Sequence, residues 1–362
     1  MKNIMKIIIA LFTSVSLISS VSAGELTVTG NAKATYNILS GQVNQGKGIG
    51  VANEFDLGAT GELDNGWSWN YQVQFDPGNT AASAGGSNGQ VDDSRLTLTT
   101  DYGTLGIFVS EGGLDVDNAA SQSVYGRPTD IGLSSGMVDG PAIDSFNNIQ
   151  YHTPAGIFPY EITAKVAYAS GQDNGMNSSN AKGKGLENQY GKSAEQFQLT
   201  AAPIDGLKLF ADYYVEKGAY AYVIQQYEAG SIAATYETGA FSFGASRTLT
   251  APLIQAATNL TNTIANASTA GGNPGSARTY TTTKGSVAFN VNDALSVSFE
   301  REESERMQFT RAAEFDIEAQ AVQAAYTMGG MTVALSYGQT DNVGYAENVD
   351  VEQTLLAVTM AF

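Results

Sequence analysis

The chain has no cysteine and a single histidine, His152. Disulfides are excluded by the first absence, and Cys-based catalysis and Cys–His metal sites by the two together. A Ser–His hydrolase would have to use His152, which falls on the polar face of a short alternating run beside a turn, with no nucleophile motif near it. Positive charge is scarce as well. Lys and Arg number 18 against 36 Asp and Glu, for a formal charge of −18, and that sign excludes nucleic acid as a partner. Long apolar runs are also missing. A spanning helix needs about 20 apolar residues, and nothing after the first two dozen positions approaches that length. If such a chain enters a membrane, it enters as strands.

The N-terminus carries an address. Lys2 and Lys6 form a basic start, residues 7–18 an apolar core, and Val21-Ser22-Ala23 a small-residue cleavage site. Residues 1–23 therefore read as an export signal, and the mature chain, residues 24–362, is expected to begin at Gly24. Its removal takes two of the 18 basic residues and no acidic one, moving the charge from −18 to −20. Two short patterns lead nowhere. Asp115-Val-Asp117 lacks the ligand spacing of a Ca²⁺ loop, and Gly46-Lys-Gly48-Ile-Gly50 has no helix after it to cradle phosphate. No metal or other cofactor is expected.

What is present is alternation. Residues 25–38 place Leu26, Val28, Ala32, Ala34, Tyr36 and Ile38 on one face and Thr27, Thr29, Asn31, Lys33 and Thr35 on the other. Residues 51–63 alternate Val51, Phe55, Leu57 and Ala59 with Glu54, Asp56, Thr60 and Glu62. After Asp64-Asn65-Gly66, the side chains Trp67, Trp69, Tyr71, Val73 and Phe75 oppose Ser68, Asn70, Gln72, Gln74 and Asp76. This is the period of a strand with one greasy side. Both tryptophans sit at the turn end, where an interfacial aromatic belt places them. Alternation weakens only in residues 219–237 and 311–327, and an apparent switch of parity in 315–327 predicts a bulge there.

Seven short turns recur, at residues 64–66, 101–103, 154–156, 204–206, 238–239, 292–293 and 328–330, and longer polar stretches lie between them. Short turns at one end and long loops at the other is the layout of a transmembrane barrel, and seven turns with both termini on one side imply eight hairpins. The fold expected is all-β, a sixteen-stranded antiparallel transmembrane β-barrel.

The last stretch, VDVEQTLLAVTMAF, puts Leu356, Val358, Met360 and Phe362 on one face up to the final residue. Here the chain resembles the outer-membrane porins of Gram-negative bacteria, whose closing strand ends in Phe and serves as the assembly signal. Thr354 departs from that pattern, since the family more often has a large apolar residue there. The run DSRLTLTTDYGTLGIFVSEGG, residues 93–113, also resembles the porins: a strand with an inward Arg, a D-Y-G turn, a short strand, then the loop that folds into the lumen. A further departure is Val109-Ser110-Glu111, where the family often carries an Arg.

The resemblance implies an inward-folded constriction loop over residues 111–144, carrying Glu111, Asp115, Asp117, Asp130, Asp139 and Asp144 against Arg127 alone. It implies a facing wall of basic residues, for which Arg95 comes first, with Lys33 and Lys165 behind it and Glu54 and Asp56 as acidic lumen candidates. It implies no enzyme. The expectation is passive diffusion of small hydrophilic solutes and ions through a homotrimeric channel, placed in the outer membrane by the barrel assembly machinery among lipid and lipopolysaccharide. The acidic loop adds an expected cation preference. A substrate-selective channel is the alternative within this class. A surface adhesin using residues 251–278 is the alternative outside it.

Overall fold

The computed structural model describes residues 25–42, 45–76, 90–131, 135–170, 191–218, 223–256, 267–268, 277–308 and 315–362. The export signal, and parts of the long connections at 77–90, 171–192 and 251–278, lie outside the described residues.

Sixteen antiparallel strands close into one barrel. In chain order they are β1 Glu25–Gly41, β2 Gly46–Glu62, β3 Ser68–Asp76, β4 Gln90–Thr100, β5 Gly103–Val109, β6 Asn148–His152, β7 Thr163–Ser170 and β8 Gly191–Ile204. The second half comprises β9 Leu207–Gly218, β10 Tyr227–Thr238, β11 Phe241–Ala251, β12 Ala277–Asn290, β13 Leu295–Gln308, β14 Ile317–Met328, β15 Met331–Asp341 and β16 Val351–Ala361. Each strand pairs with its neighbours in sequence, and β1 pairs with β16. Three short strands, Val223–Gln225, Ile254–Ala256 and Ala267–Ser268, form a small sheet of their own at the long-loop end.

Closure depends on the chain's last residue. Phe362 and Gly30 exchange both backbone hydrogen bonds at 3.0 Å, below the ladder that runs from Asn31↔Ala361 to Gly41↔Val351. The Phe362 ring packs against Phe55 of β2 at 5.6 Å between centroids. A side chain on Gly30 would meet that ring and the Glu54 carbonyl, so the approach of the three strands needs glycine at this point. The face assigned to the assembly signal is the outer one, with Leu356, Met360 and Phe362 exposed and Val358 between them, while Leu355 and Ala357 are buried inside.

Large apolar side chains stand outside around the whole circumference, among them Tyr36, Tyr71, Leu96, Val166, Leu209 and Leu335. The polar sets of the alternating strands point inward. One expectation needs correction. No register shift interrupts β14 against either neighbour, so the bulge is absent. The parity looked switched because Ile317, Ala319, Ala321 and Ala325 face inward and are buried there. At the third short turn, between β6 and β7, Tyr160 and Glu161 belong to a tight helical turn, Pro159–Glu161, both at positive φ, and β7 starts at Thr163.

A charge at the middle of the outer face would have no water to hold it. Leu335→Arg is expected to destabilise the barrel by about 2–4 kcal/mol in a reversible unfolding titration in lipid, whereas Gln74→Arg, facing inward, should change it little. Deletion of Phe362 should reduce the heat-modifiable folded form in membranes, because it removes both closing hydrogen bonds.

Candidate functional site

Among the described residues, one long segment occupies the barrel's interior. Residues 111–131 and 135–147, between β5 and β6, turn inward and run along the wall from β7 to β16, with a short helical turn, Ile143–Ser145, near their end. At the root, positive φ at Ser110 and Gly112 redirects the backbone away from the sheet. Gln150 Nε2 donates to the Gly112 carbonyl, and Asn148 Nδ2 to those of Glu111 and Phe146, so β6 holds both ends of the segment.

The segment forms no ladder, and wall side chains satisfy its backbone instead. Leu114 O accepts from Gln198 Nε2 at 3.0 Å, Val116 N donates to Asp212 Oδ1 at 3.2 Å, and Ile143 N to Gln196 Oε1 at 2.9 Å. Further on, Val124 N donates to Ser298 Oγ, Tyr125 N and Gly126 N to Gln323 Oε1, and Gln323 Nε2 returns a bond to the Gly126 carbonyl. Apolar contacts fill the gaps. Leu114 and Ile143 pack with Ala167, Ala169, Ala194 and Tyr214; Ile131 packs with Ala321 and Leu355; Val124 and Tyr125 lie over Ala325, Ala334 and Ala357.

Charge pairs complete the attachment. Arg127 is almost buried and binds Asp130 at 2.8 Å, Asp139 at 3.2 Å and Glu302 of β13 at 3.8 Å. Lys284 of β12, equally buried, reaches Asp139 at 2.9 Å and Asp117 at 3.4 Å. Glu300 accepts from Ser121 and Ser123, and Glu302 from Thr129. These wall residues lie near the centres of their strands, which sets the segment at mid-height in the barrel.

The acids of the segment therefore separate into two groups. Asp117 is fully buried against Lys284, and Asp130 and Asp139 are engaged by Arg127. Asp115 and Asp144 carry no cationic partner among the described residues and flank Gly113, whose missing side chain would touch both carboxylates. Burial raises the Asp115 carboxyl to about 7, aided by Asp117 and Asp144 beside it, and burial raises Asp144 also. Burial acts on Asp139 in the same direction, but Lys284 and Arg127 outweigh it and hold its carboxyl below the usual range. At the root, Glu111 pairs with Arg95 at 2.5 Å, and its carboxyl still lies high because burial exceeds the effect of the guanidinium.

Across the lumen stand the other wall candidates. Arg95 also bonds Gln72, which donates to Asp56 at 3.0 Å, so the inward face of β2–β4 is one polar chain. Lys33 lies 5.7 Å from the centre of the Tyr125 ring. Glu54 neighbours Lys33's strand in register at Asn31, and Lys165 pairs with His152. Lys33, Glu54 and Arg95 occupy the centres of β1, β2 and β4.

A family model described as Gram-negative porin matches residues 8–362. The chain belongs to the Gram-negative porin family. That membership places this porin in the outer membrane as a channel protein. Among solved structures it is similar to OmpF of Salmonella typhi in complex with daunomycin, at 13% identity and TM-score 0.66, covering 94% of this chain and 98% of that one. It is also similar to the anion-selective porin of Comamonas acidovorans, at 11% identity and TM-score 0.64, covering 94% and 100%. The trimer form of OmpT of Vibrio cholerae matches at 13% identity and TM-score 0.62, with the same coverage of 94% and 100%. No curated protein matches the chain.

Lys284, Glu300, Glu302, Asp212 and Gln323 were not among the residues singled out from the sequence of this porin. One local signal for them existed, since each occupies an inward position of its strand. A second lay in the alanines on inward positions, which mark where another segment covers the wall.

Removing one partner from a buried ionic group leaves the others uncompensated, at a cost of about 3–5 kcal/mol. Arg127→Met is expected to raise amide hydrogen exchange across residues 121–139 by about a hundredfold or more, while strand amides keep their protection.

Proposed function

We propose that this porin is a general-diffusion channel for small hydrophilic solutes and ions, with a preference for cations. The observation that carries the reading is the belt of charge at mid-height, where the inward segment, lying on β7–β16, faces β1–β4. Its lumen-facing acids are Glu54, Asp56, Glu111, Asp115 and Asp144, and its bases are Lys33, Arg95 and Lys165. Arg95 is committed to Glu111. The remaining excess is negative, and a low-dielectric wall focuses it on the path of permeating ions. Screening shortens its reach to about 10 Å at 0.1 M salt, so selectivity weakens as salt rises.

The working unit is proposed to be a homotrimer. Its contact is the outer face around β1, where Gly30, Ala32 and Ala34 are small enough for close approach by a neighbour. Export with loss of residues 1–23, recognition of Leu356, Val358, Met360 and Phe362 by the assembly machinery, and contact with lipopolysaccharide at the long-loop end belong to the same reading. Selectivity is set by a few lumen side chains, so the anion preference named for the Comamonas porin does not transfer at 11% identity.

In a planar bilayer with a tenfold KCl gradient, the zero-current potential should have the sign of potassium preference; a chloride sign would contradict the reading. The preference should also depend on pH. A carboxyl raised to about 7 is neutral below that value and charged above it, so Asp115 adds lumen charge as pH rises. Cation preference is expected to be greater at pH 8 than at pH 6, and Asp115→Asn to flatten most of that change.

A further inference from the structure

The inward segment is fixed most closely at one small square of the wall. On β11 and β12, Gly244 stands opposite Ser286 and Ser246 opposite Lys284 in the ladder register, and all four face inward. Residues 117–122 lie on these four positions. The Ala120 carbonyl oxygen occupies the space that a Cβ on Gly244 would need. Ser286 Oγ donates to that same carbonyl at 3.0 Å and accepts from Gln122 N at 3.0 Å. Ser246 Oγ donates to the Asp117 carbonyl at 2.6 Å. Lys284 Nζ bonds the side chains of Asp117 and Asn118 on the outgoing limb and, at 2.9 Å, Asp139 on the returning one.

Each corner has a separate physical role. Gly244 sets how near the backbone comes, because any side chain would push it off. The two serines replace a strand's ladder for the segment, one donating, the other both donating and accepting. Lys284 ties two limbs to one point and neutralises carboxylates that would otherwise face the lumen. Its own side chain is only 4% exposed, and that of Asp117 is not exposed at all, so neither is a solvated surface charge.

We propose that Gly244, Ser246, Lys284 and Ser286 form the seat that sets the cross-section of the channel, and that Lys284 determines selectivity by neutralising Asp117, which it holds buried, and Asp139, which stays partly exposed. Lys284 is a positioning residue, since it acts through these two acids and touches no solute. The inference rests on the channel reading above and adds the residues that fix its aperture and charge.

Gly244→Val tests the aperture and Lys284→Met the charge, with hydrogen exchange at amides 117–122 as a readout that does not depend on conduction. In Gly244→Val the segment is displaced toward the lumen. Single-channel conductance should fall and exchange at those amides should rise, with heat-modifiable mobility unchanged. In Lys284→Met the charge that neutralises Asp117 and Asp139 is lost, so the zero-current potential should shift further toward potassium and current noise should increase as the two limbs come apart. Wild-type conductance, reversal potential and exchange in both variants would overturn the proposal. If Gly244→Val does not assemble, Gly244→Ala is read by the same criteria. Should the wild-type protein conduct no ions, the channel reading fails. The seat is then judged by exchange alone, and unchanged protection in either variant refutes it.

Discussion

Hydrocarbon offers no partner to a backbone N–H or C=O, so every peptide group crossing the membrane must be paired within the chain. A sheet meets that demand only by closing, and here closure comes down to the contact between the first strand and the last residue. Gly30 and Phe362 complete the ladder, and the Phe55 ring packs against the terminal phenylalanine. Once the sheet is closed, period-two alternation has only two destinations. One face meets lipid and must be apolar; the other encloses a lumen and collects the charges.

The same pairing rule governs the segment inside the lumen. Residues 111–131 and 135–147 make no ladder, yet their peptide groups find Gln196, Gln198, Ser246, Ser286, Ser298 and Gln323 on the wall. Inward polar side chains on β8–β14 thus do for the segment what a neighbouring strand does for the wall. Where its side chains are apolar, the wall beneath is alanine, as at Ala194 below Leu114 and Ala321 below Ile131. The less covered part of the wall, β1–β4, keeps its longer polar residues, among them Lys33, Glu54, Gln72 and Arg95. An asymmetric lumen follows, with buried ion pairs on one side and a mixed, partly paired belt on the other.

The strand number was readable because turn chemistry and alternation are local properties. Where reading failed, the cause was not local. Ala321 and Ala325 of β14 broke the expected parity because a segment nearly two hundred residues earlier covers them. In β9, Phe210 and Tyr214 point inward for the same reason, packing with the segment at Val116 and Leu114. The acids of the segment were visible, but their pairing was not. Nothing near Asp117 or Asp139 in the chain announces Lys284, which reaches them only through barrel register. Arg127 read as a lone counter-charge in an acidic loop, whereas in the structure it is turned to the wall and joined to Glu302.

The proposed cation preference depends above all on acidic side chains of an inward segment facing the conducting path. Because the protein contains no cysteine, single thiols placed at Asp115 and at Asp130 report on that path without background. Small methanethiosulfonate reagents should label Asp115→Cys in an open channel and reduce its current in discrete steps, a negatively charged adduct leaving more cation current than a positively charged one. Free labelling of both sites by bulky impermeant reagents, with no change in current, would place the segment outside the path and contradict the account.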